Sequence, residues 1–301
     1  MKKQYTTDVQ MNGRVGIVTG ANSGIGFETS LQLAKHSAHL VMVCRNKQKA
    51  EDAKAKIESV AKGKVDLIIA DLASIDEIRK LAKVLLDKYP KIHVLINNAG
   101  VEYNDRRTSA DGYEITFAVN YLAQFLLARL LVDRMKASAP ARIINVSSKA
   151  HRFGGFDLND IQWENRRYSG MKAYAASKIA NILFTKELSD RLKGTGVTVN
   201  AVHPGEVLSN ASMDNGPVYI FIKKHVINRM LKPTHIAGEA IYYHAASPEL
   251  EKVTGMYFNM THLEKPWGNA NNRPAGRILW KLSEALTGIA PWESQVEKIQ
   301  K

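Results

Sequence analysis

The segment Thr19-Gly20-Ala21-Asn22-Ser23-Gly24-Ile25-Gly26 decides the fold. An apolar run over 15–19 leads into it, and a helical pattern follows, with Phe27, Leu31 and Ala34 stepping by four and three. Glycines placed between a strand and a helix allow a tight turn. They also let the backbone approach a pyrophosphate, whose charge meets the unpaired N–H groups of the helix N-terminus. A glycine cluster by itself is weak evidence, but the strand–turn–helix context is the one in which it marks a dinucleotide-binding unit.

The same alternation extends outward through most of the chain. Further strands are expected at 40–44, 65–70, 92–96, 142–146, 197–202 and 256–258, several of them apolar at successive positions. Runs of that kind suit strands covered on both faces. Helical patterns lie between them, as in Ile75, Ile78, Leu81 and Leu85. Strand and helix repeated in this way imply right-handed crossovers and an α/β fold with a doubly wound parallel sheet of about seven strands. One domain over 12–260 accounts for the pattern, with 261–301 as a C-terminal helical tail carrying an amphipathic segment near 278–286. Residues 149–171, rich in arginine and aromatic side chains, read as a long loop.

Composition narrows the class. The 301 residues are 45% hydrophobic and 24% charged, with 20 Gly and 9 Pro, which excludes disordered and collagen-like chains. A single cysteine, Cys44, cannot form an internal disulfide, so a reducing compartment is favoured. No uncharged apolar stretch reaches the roughly 18 residues of a membrane span, and the first residues are polar. A soluble, cytoplasmic protein is expected. The net charge of +13 favours an anionic partner, such as nucleic acid, acidic lipid or a phosphorylated cofactor.

The end of the second strand separates two cofactors. It reads Val43-Cys44-Arg45-Asn46-Lys47, with no acid until Glu51. An NAD site usually places Asp or Glu there for the ribose 2′-hydroxyl, whereas Arg45 can fork onto a 2′-phosphate, so NADP(H) is expected over NAD(H). Asp71-Leu72 and Asn97-Asn98-Ala99-Gly100 follow the third and fourth strands, at the carboxyl ends where open α/β sheets bind ligands. Asp71 could equally cap the helix that begins near Ser74.

Tyr174 and Lys178 stand four positions apart in a helical segment and so share a face, and Ser147-Ser148 follows the fifth strand. With Asn120 and Pro204-Gly205, these elements occur in the order of the short-chain dehydrogenase/reductase family, which the chain resembles over about 12–260. The run Ile143-Ile144-Asn145-Val146-Ser147-Ser148, the long insertion, and Tyr174-Ala175-Ala176-Ser177-Lys178 resemble the retinol dehydrogenase-like subgroup.

The resemblance implies an enzyme that moves a hydride between NADP(H) and a carbonyl/alcohol pair. Tyr174 would be the proton donor, Ser148 the hydrogen-bond partner of the carbonyl oxygen, and Asn120 the holder of a water relaying protons through Lys178. Cofactor contacts would come from Gly20, Asn22, Ser23, Gly24, Ile25, Gly26, Arg45, Asp71, Leu72, Asn98, Ala99, Gly100, Tyr174, Lys178, Pro204, Gly205, Val207 and Ser209. A phenol of pKa about 10 needs about 4 kcal/mol of help to ionise near neutrality. A unit charge at about 4 Å supplies that order of energy, so Lys178 together with an oxidised nicotinamide is expected to suffice. His203, in a His-Pro-Gly turn, reads as structural.

The resemblance also implies a substrate lid over 206–232. Its apolar face (Val218, Phe221, Ile222, Met230) favours a hydrophobic substrate such as a retinoid, fatty aldehyde, steroid or aromatic ketone. Its basic face (Lys223, Lys224, Arg229) is also suited to contact with an acidic membrane surface. The resemblance further implies a homo-oligomer, since members of the family are commonly dimers or tetramers through the helices that carry Asn120 and Tyr174. A nucleic-acid partner is not expected, because Lys and Arg are spread over many helices without a binding motif. A cofactor-binding regulator without turnover is the remaining alternative, and the intact Ser148, Tyr174 and Lys178 favour the enzyme. No metal site is expected.

Overall fold

The computed structural model describes residues 6–207 and 233–293. Eight strands form one sheet in the order β3-β2-β1-β4-β5-β6-β7-β8. They are β1 Val15–Thr19, β2 His39–Cys44, β3 Val65–Ile69, β4 Val94–Asn97, β5 Ala141–Val146, β6 Val197–His203, β7 Tyr257–Asn259 and β8 His262–Leu263. The first seven are parallel, and β8 returns antiparallel to β7. The eighth strand, unforeseen in the sequence, is two residues long and reverses through Met260 at φ 57°. Two residues are too few to leave a period of two.

Successive residues of each strand face opposite layers, and both layers are covered. On β1, Val15 and Ile17 pack into one core and Val18 into the other. The first layer holds α3 (Ile75–Lys88), α4 (Ile115–Ala137), α5 (Gly170–Arg191) and α7 (Arg273–Thr287). The second holds α1 (Gly24–Lys35), α2 (Lys47–Glu58) and α6 (Thr234–Ala246). Asn46 caps α2 by accepting from the Lys49 N–H at 2.9 Å, and Ser74 caps α3. Asp71 instead accepts from the Ala73 N–H at 3.0 Å, closing the turn after β3. Helix α4 is long and apolar enough to cross a membrane, but 94% of its apolar window is buried within the protein, as suits a core helix.

Within α4 the backbone widens into a π turn over Ala118–Leu122. Such turns displace one residue from the helical ladder and recur at functional sites. Asn120 sits at its centre, wholly buried.

Helix α7 extends well beyond the segment that periodicity marks, because Asn272 caps it and Gly288, at φ 61°, ends it. It packs on the helices that carry Asn120 and Tyr174, so apolar surface where assembly with a second copy is expected is occupied within the chain. A buried charge network ties it there. The Arg129 guanidinium donates to Glu284 Oε1 at 2.6 Å and to the Ala290 carbonyl at 3.0 Å. The same carboxylate oxygen accepts from Trp280 Nε1–H and the Trp292 N–H, both at 2.8 Å. The rings of Trp280 and Trp292 lie 5.1 and 4.9 Å from the guanidinium.

Removing one member of a buried pair leaves the other charge uncompensated. Glu284→Leu is therefore expected to destabilise the fold by about 3 kcal/mol or more, seen as a lower urea midpoint. The double variant Arg129→Met/Glu284→Leu should recover most of that loss.

Candidate active site

The strand order reverses between β1 and β4, and a crevice opens at the carboxyl ends of the strands there. It is a groove of about 860 Å³. Gly20, Asn22, Ser23, Gly24, Ile25 and Gly26 line one end, with Arg45, Asp71 and Leu72 beside them. Asn98, Ala99 and Gly100 form the floor, and Ser148, Tyr174, Lys178, Pro204, Gly205 and Val207 line the other end. All of these were expected at the site. Ser209 and lid residues 208–232 lie outside the described residues.

Local chemistry explains each placement. Gly24 takes φ 53°, and a Cβ there would enter open space beside the turn, so the backbone itself is presented to the groove. At Gly26 a Cβ would stand 2.2 Å from the Gly20 carbonyl oxygen, which makes glycine obligatory. Cys44 lies beneath the turn, and burial pushes its thiol up to about 11. Arg45 is exposed, with Asn46 and Lys49 along the same wall. Open backbone, a helix N-terminus and a cation at the end of β2 fit a phosphorylated dinucleotide.

A ladder of buried polar groups fixes α5 against the strand ends. Asn97 Nδ2 donates to Asn145 Oδ1 at 2.8 Å, Asn145 Nδ2 to Thr185 Oγ1 at 2.9 Å, and Thr185 Oγ1 to the Asn181 carbonyl at 2.8 Å. Ser147 Oγ donates to the Lys178 carbonyl at 3.1 Å, and Ser177 Oγ to that of Tyr174 at 2.7 Å. The family order of Ser147-Ser148 therefore has a physical basis here. Both serines line the groove; the first ties down the helix, and the second is hydrogen-bonded to Tyr174.

Asn120 does not reach the groove. Its Oδ1 accepts from the Val101 N–H at 2.7 Å, while Nδ2 donates to the Val101 carbonyl at 2.9 Å and to Ser177 Oγ at 3.1 Å. Both amide hydrogens are thus committed, and the side chain braces the segment after Gly100 against α5.

Lys178 is buried, and its Nζ donates to the Val146 carbonyl at 2.9 Å, 5.3 Å from the centre of the Tyr174 ring. Desolvation pulls its pKa down to about 8. Burial pushes the Tyr174 phenol above its ordinary value, and the Glu102 carboxylate adds to that, while a hydrogen bond with Ser148 acts in the opposite sense. In this arrangement the Lys178 ammonium is held by a backbone carbonyl and is itself desolvated, and burial dominates at the phenol.

Two residues near the reaction end were not foreseen in these roles. Glu102 lines the groove and opposes ionisation of Tyr174. His151 is buried beneath Ser148. Its Nδ1–H donates to the Ser148 carbonyl at 2.7 Å and its Nε2 accepts the Trp267 N–H at 3.1 Å, which assigns the neutral tautomer. No sequence spacing links 151 to 267, so this brace was invisible beforehand. His203 lines the groove, its ring nitrogens have no hydrogen-bond partner among the described residues, and burial pushes its pKa down to about 3.

The buried lysine has a consequence for stability. Between pH 8 and the unfolded value of 10.5, the unfolded chain holds a proton on Lys178 that the folded chain lacks. Stability contributed by this group therefore rises with pH across that window. Lys178→Met should stabilise the fold at pH 7 by about 1–3 kcal/mol and lose that advantage above the window, checked by thermal unfolding against pH.

The family model for short chain dehydrogenase matches residues 14–218. Retinol dehydrogenase 13 of Mus musculus is 41% identical over 283 residues, covering 92% of this chain and 85% of its own. A crystal structure of an uncharacterized protein from Mycobacterium paratuberculosis superimposes with a TM-score of 0.76 at 30% identity, covering 95% of this chain and 98% of that one. A blue fluorescent protein from a metagenomic library, solved with NADPH, gives 0.66 at 25% identity over 83% of this chain and 97% of its own. By its strand order, its groove and this match over most of its length, the chain belongs to the short-chain dehydrogenase family, among relatives named as retinol dehydrogenases.

Proposed function

We propose that the protein is an NADP(H)-dependent oxidoreductase acting on the carbonyl/alcohol pair of a hydrophobic substrate. The observation that carries this reading is the convergence of Ser148, Tyr174 and Lys178 on one end of a groove whose other end presents an open glycine turn and Arg45. The cofactor, when bound, supplies or accepts the hydride.

The residues then have distinct tasks. In reduction, the Tyr174 hydroxyl gives its proton to the carbonyl oxygen as negative charge develops there. Because burial holds the phenol protonated, Tyr174 is poised as a donor at neutral pH. Ser148 Oγ steadies the same oxygen by hydrogen bonding. His151 acts through Ser148, holding its backbone so that the hydroxyl faces the groove. Lys178, with a pKa near 8, can return a proton toward Tyr174. Its ammonium gives one N–H to the Val146 carbonyl, which also accepts from Asn181 Nδ2 at 3.4 Å, and keeps two more for a hydroxyl of the bound cofactor.

Arg45 supports NADP(H), since no carboxylate lies at the end of β2 to hold a ribose 2′-hydroxyl. The NADPH carried by the metagenomic relative is consistent with this choice. The hydrophobic substrate class, retinoid or other, rests on the names of the relatives and on the apolar pattern of 206–232.

NADPH and NADH oxidation would be followed over retinal, aliphatic aldehydes, steroids and aromatic ketones. Tyr174→Phe is expected to lower turnover by about a hundredfold or more while leaving NADPH binding intact. Arg45→Asp is expected to reverse the preference for NADPH over NADH. Turnover indifferent to Tyr174→Phe would overturn the catalytic assignment, and an unchanged cofactor preference in Arg45→Asp would overturn the second.

A further inference from the structure

The insertion between Ser148 and Tyr174 builds a cavity of its own, of about 950 Å³. Trp163 and Tyr168 supply aromatic wall, and Arg166, Arg167 and Lys172 supply positive charge. Phe153 and Met171 line both this cavity and the catalytic groove, so the two spaces adjoin across that pair. Phe153 is 62% exposed and Met171 50%, a large apolar threshold left uncovered between two cavities. Along α5, Gly170 at the second cavity and Tyr174 at the first are one turn apart, about 6 Å. A ligand reacting at Tyr174 therefore reaches the second cavity with a chain of only several atoms.

The insertion is a built scaffold. Asp160 accepts from the Glu164 and Asn165 N–H groups at 2.7 and 3.2 Å. It also pairs with Arg166, whose guanidinium lies 3.7 Å over the Trp163 ring. Trp163, 4% exposed, is held at φ 58°. A bulky side chain in the left-handed region is strained, and such strain gathers at ligand sites.

Charge is sorted along the path. Glu102 places a carboxylate beside Tyr174 at the reacting end. At the far end Arg166 is paired with Asp160, and Asp157 accepts from the Asn159 N–H at 3.0 Å. No ion pair to Arg167 or Lys172 occurs among the described residues.

We propose that this cavity is a distal subsite for a substrate whose apolar chain ends in a carboxylate. The aldehyde or alcohol end meets Tyr174, the chain crosses Phe153 and Met171, and the carboxylate meets Arg167 and Lys172. The inference rests on the oxidoreductase reading of the groove and narrows its substrate class to carbonyl compounds with a remote anion.

The test compares a medium-chain alkanal with the ω-oxo carboxylate of equal length, in the wild type and in Arg167→Gln/Lys172→Gln. The wild type should prefer the ω-oxo carboxylate in kcat/KM by about tenfold at low salt, the order expected of two partly exposed charge pairs. That ratio should fall toward one in the double variant and at high salt. No preference in the wild type, or a preference untouched by the double substitution, overturns the subsite while the oxidoreductase reading stands. Should neither aldehyde be turned over, calorimetric titration with the medium-chain fatty acid decides separately. Saturable binding weakened about tenfold in the double variant upholds the subsite, and no binding to the wild type overturns it.

Discussion

The hydroxyl of Thr19 accepts hydrogen bonds from the backbone N–H groups of Asn98 and Ala99, each at 3.0 Å, and the Asn98 amide donates back to the Thr19 carbonyl at 2.8 Å. This knot joins the carboxyl ends of β1 and β4, the two strands between which the order of the sheet reverses. The helices that follow them pack in opposite layers, which leaves a crevice at the strand ends among the described residues. The knot holds the glycine turn against the Asn98–Gly100 floor. A Cβ at Gly20 would come within 3.1 Å of both the Ala99 Cα and the Asn98 amide, which shows how closely the two segments approach. The groove is what remains open above them.

On the other side of the groove, precision comes from buried polar contacts more than from apolar packing. The Asn97–Asn145–Thr185 ladder fixes the height of α5 on the sheet, and the bonds of Ser147 to the Lys178 carbonyl and of Asn120 to Ser177 fix its rotation. Buried polar groups are costly unless satisfied, so a ladder of this kind admits one arrangement and penalises slips. Lys178 is the exception, a buried amine whose Nζ donates to a carbonyl and has no ion pair among the described residues. Sites that perform chemistry commonly retain such destabilising groups. The Arg129–Glu284 network on the far face helps hold the layer that carries it.

The reaction end is braced from far along the chain. His151 links the Ser148 carbonyl to the backbone of Trp267, so the segment after β8 bears on the position of the Ser148 hydroxyl. Trp280 and Trp292 pack around Arg129, close to the helix that presents Tyr174. The C-terminal residues, read from sequence as a tail, pack into the same core as α4 and α5.

The parallel sheet was legible because strands covered on both faces must be apolar at successive positions, and the glycine turn because its spacing answers a local steric demand. Tyr174 and Lys178 could be paired by the helical repeat, and Arg45 placed at the carboxyl end of β2 by the apolar run before it. These are local properties, written within a few residues of one another. The roles of Asn120, His151, Glu102 and Glu284 were not legible. Each depends on partners far away in sequence, such as Ser177, Trp267, Tyr174 and Arg129. The π turn that buries Asn120 and the carbonyl that holds Lys178 Nζ are likewise products of packing. Periodicity and spacing thus determined the order of elements and the types of chemical group. Only the tertiary structure decided which groups face the groove and which are held behind it, because hydrogen bonding and desolvation act through space between segments that sequence keeps apart.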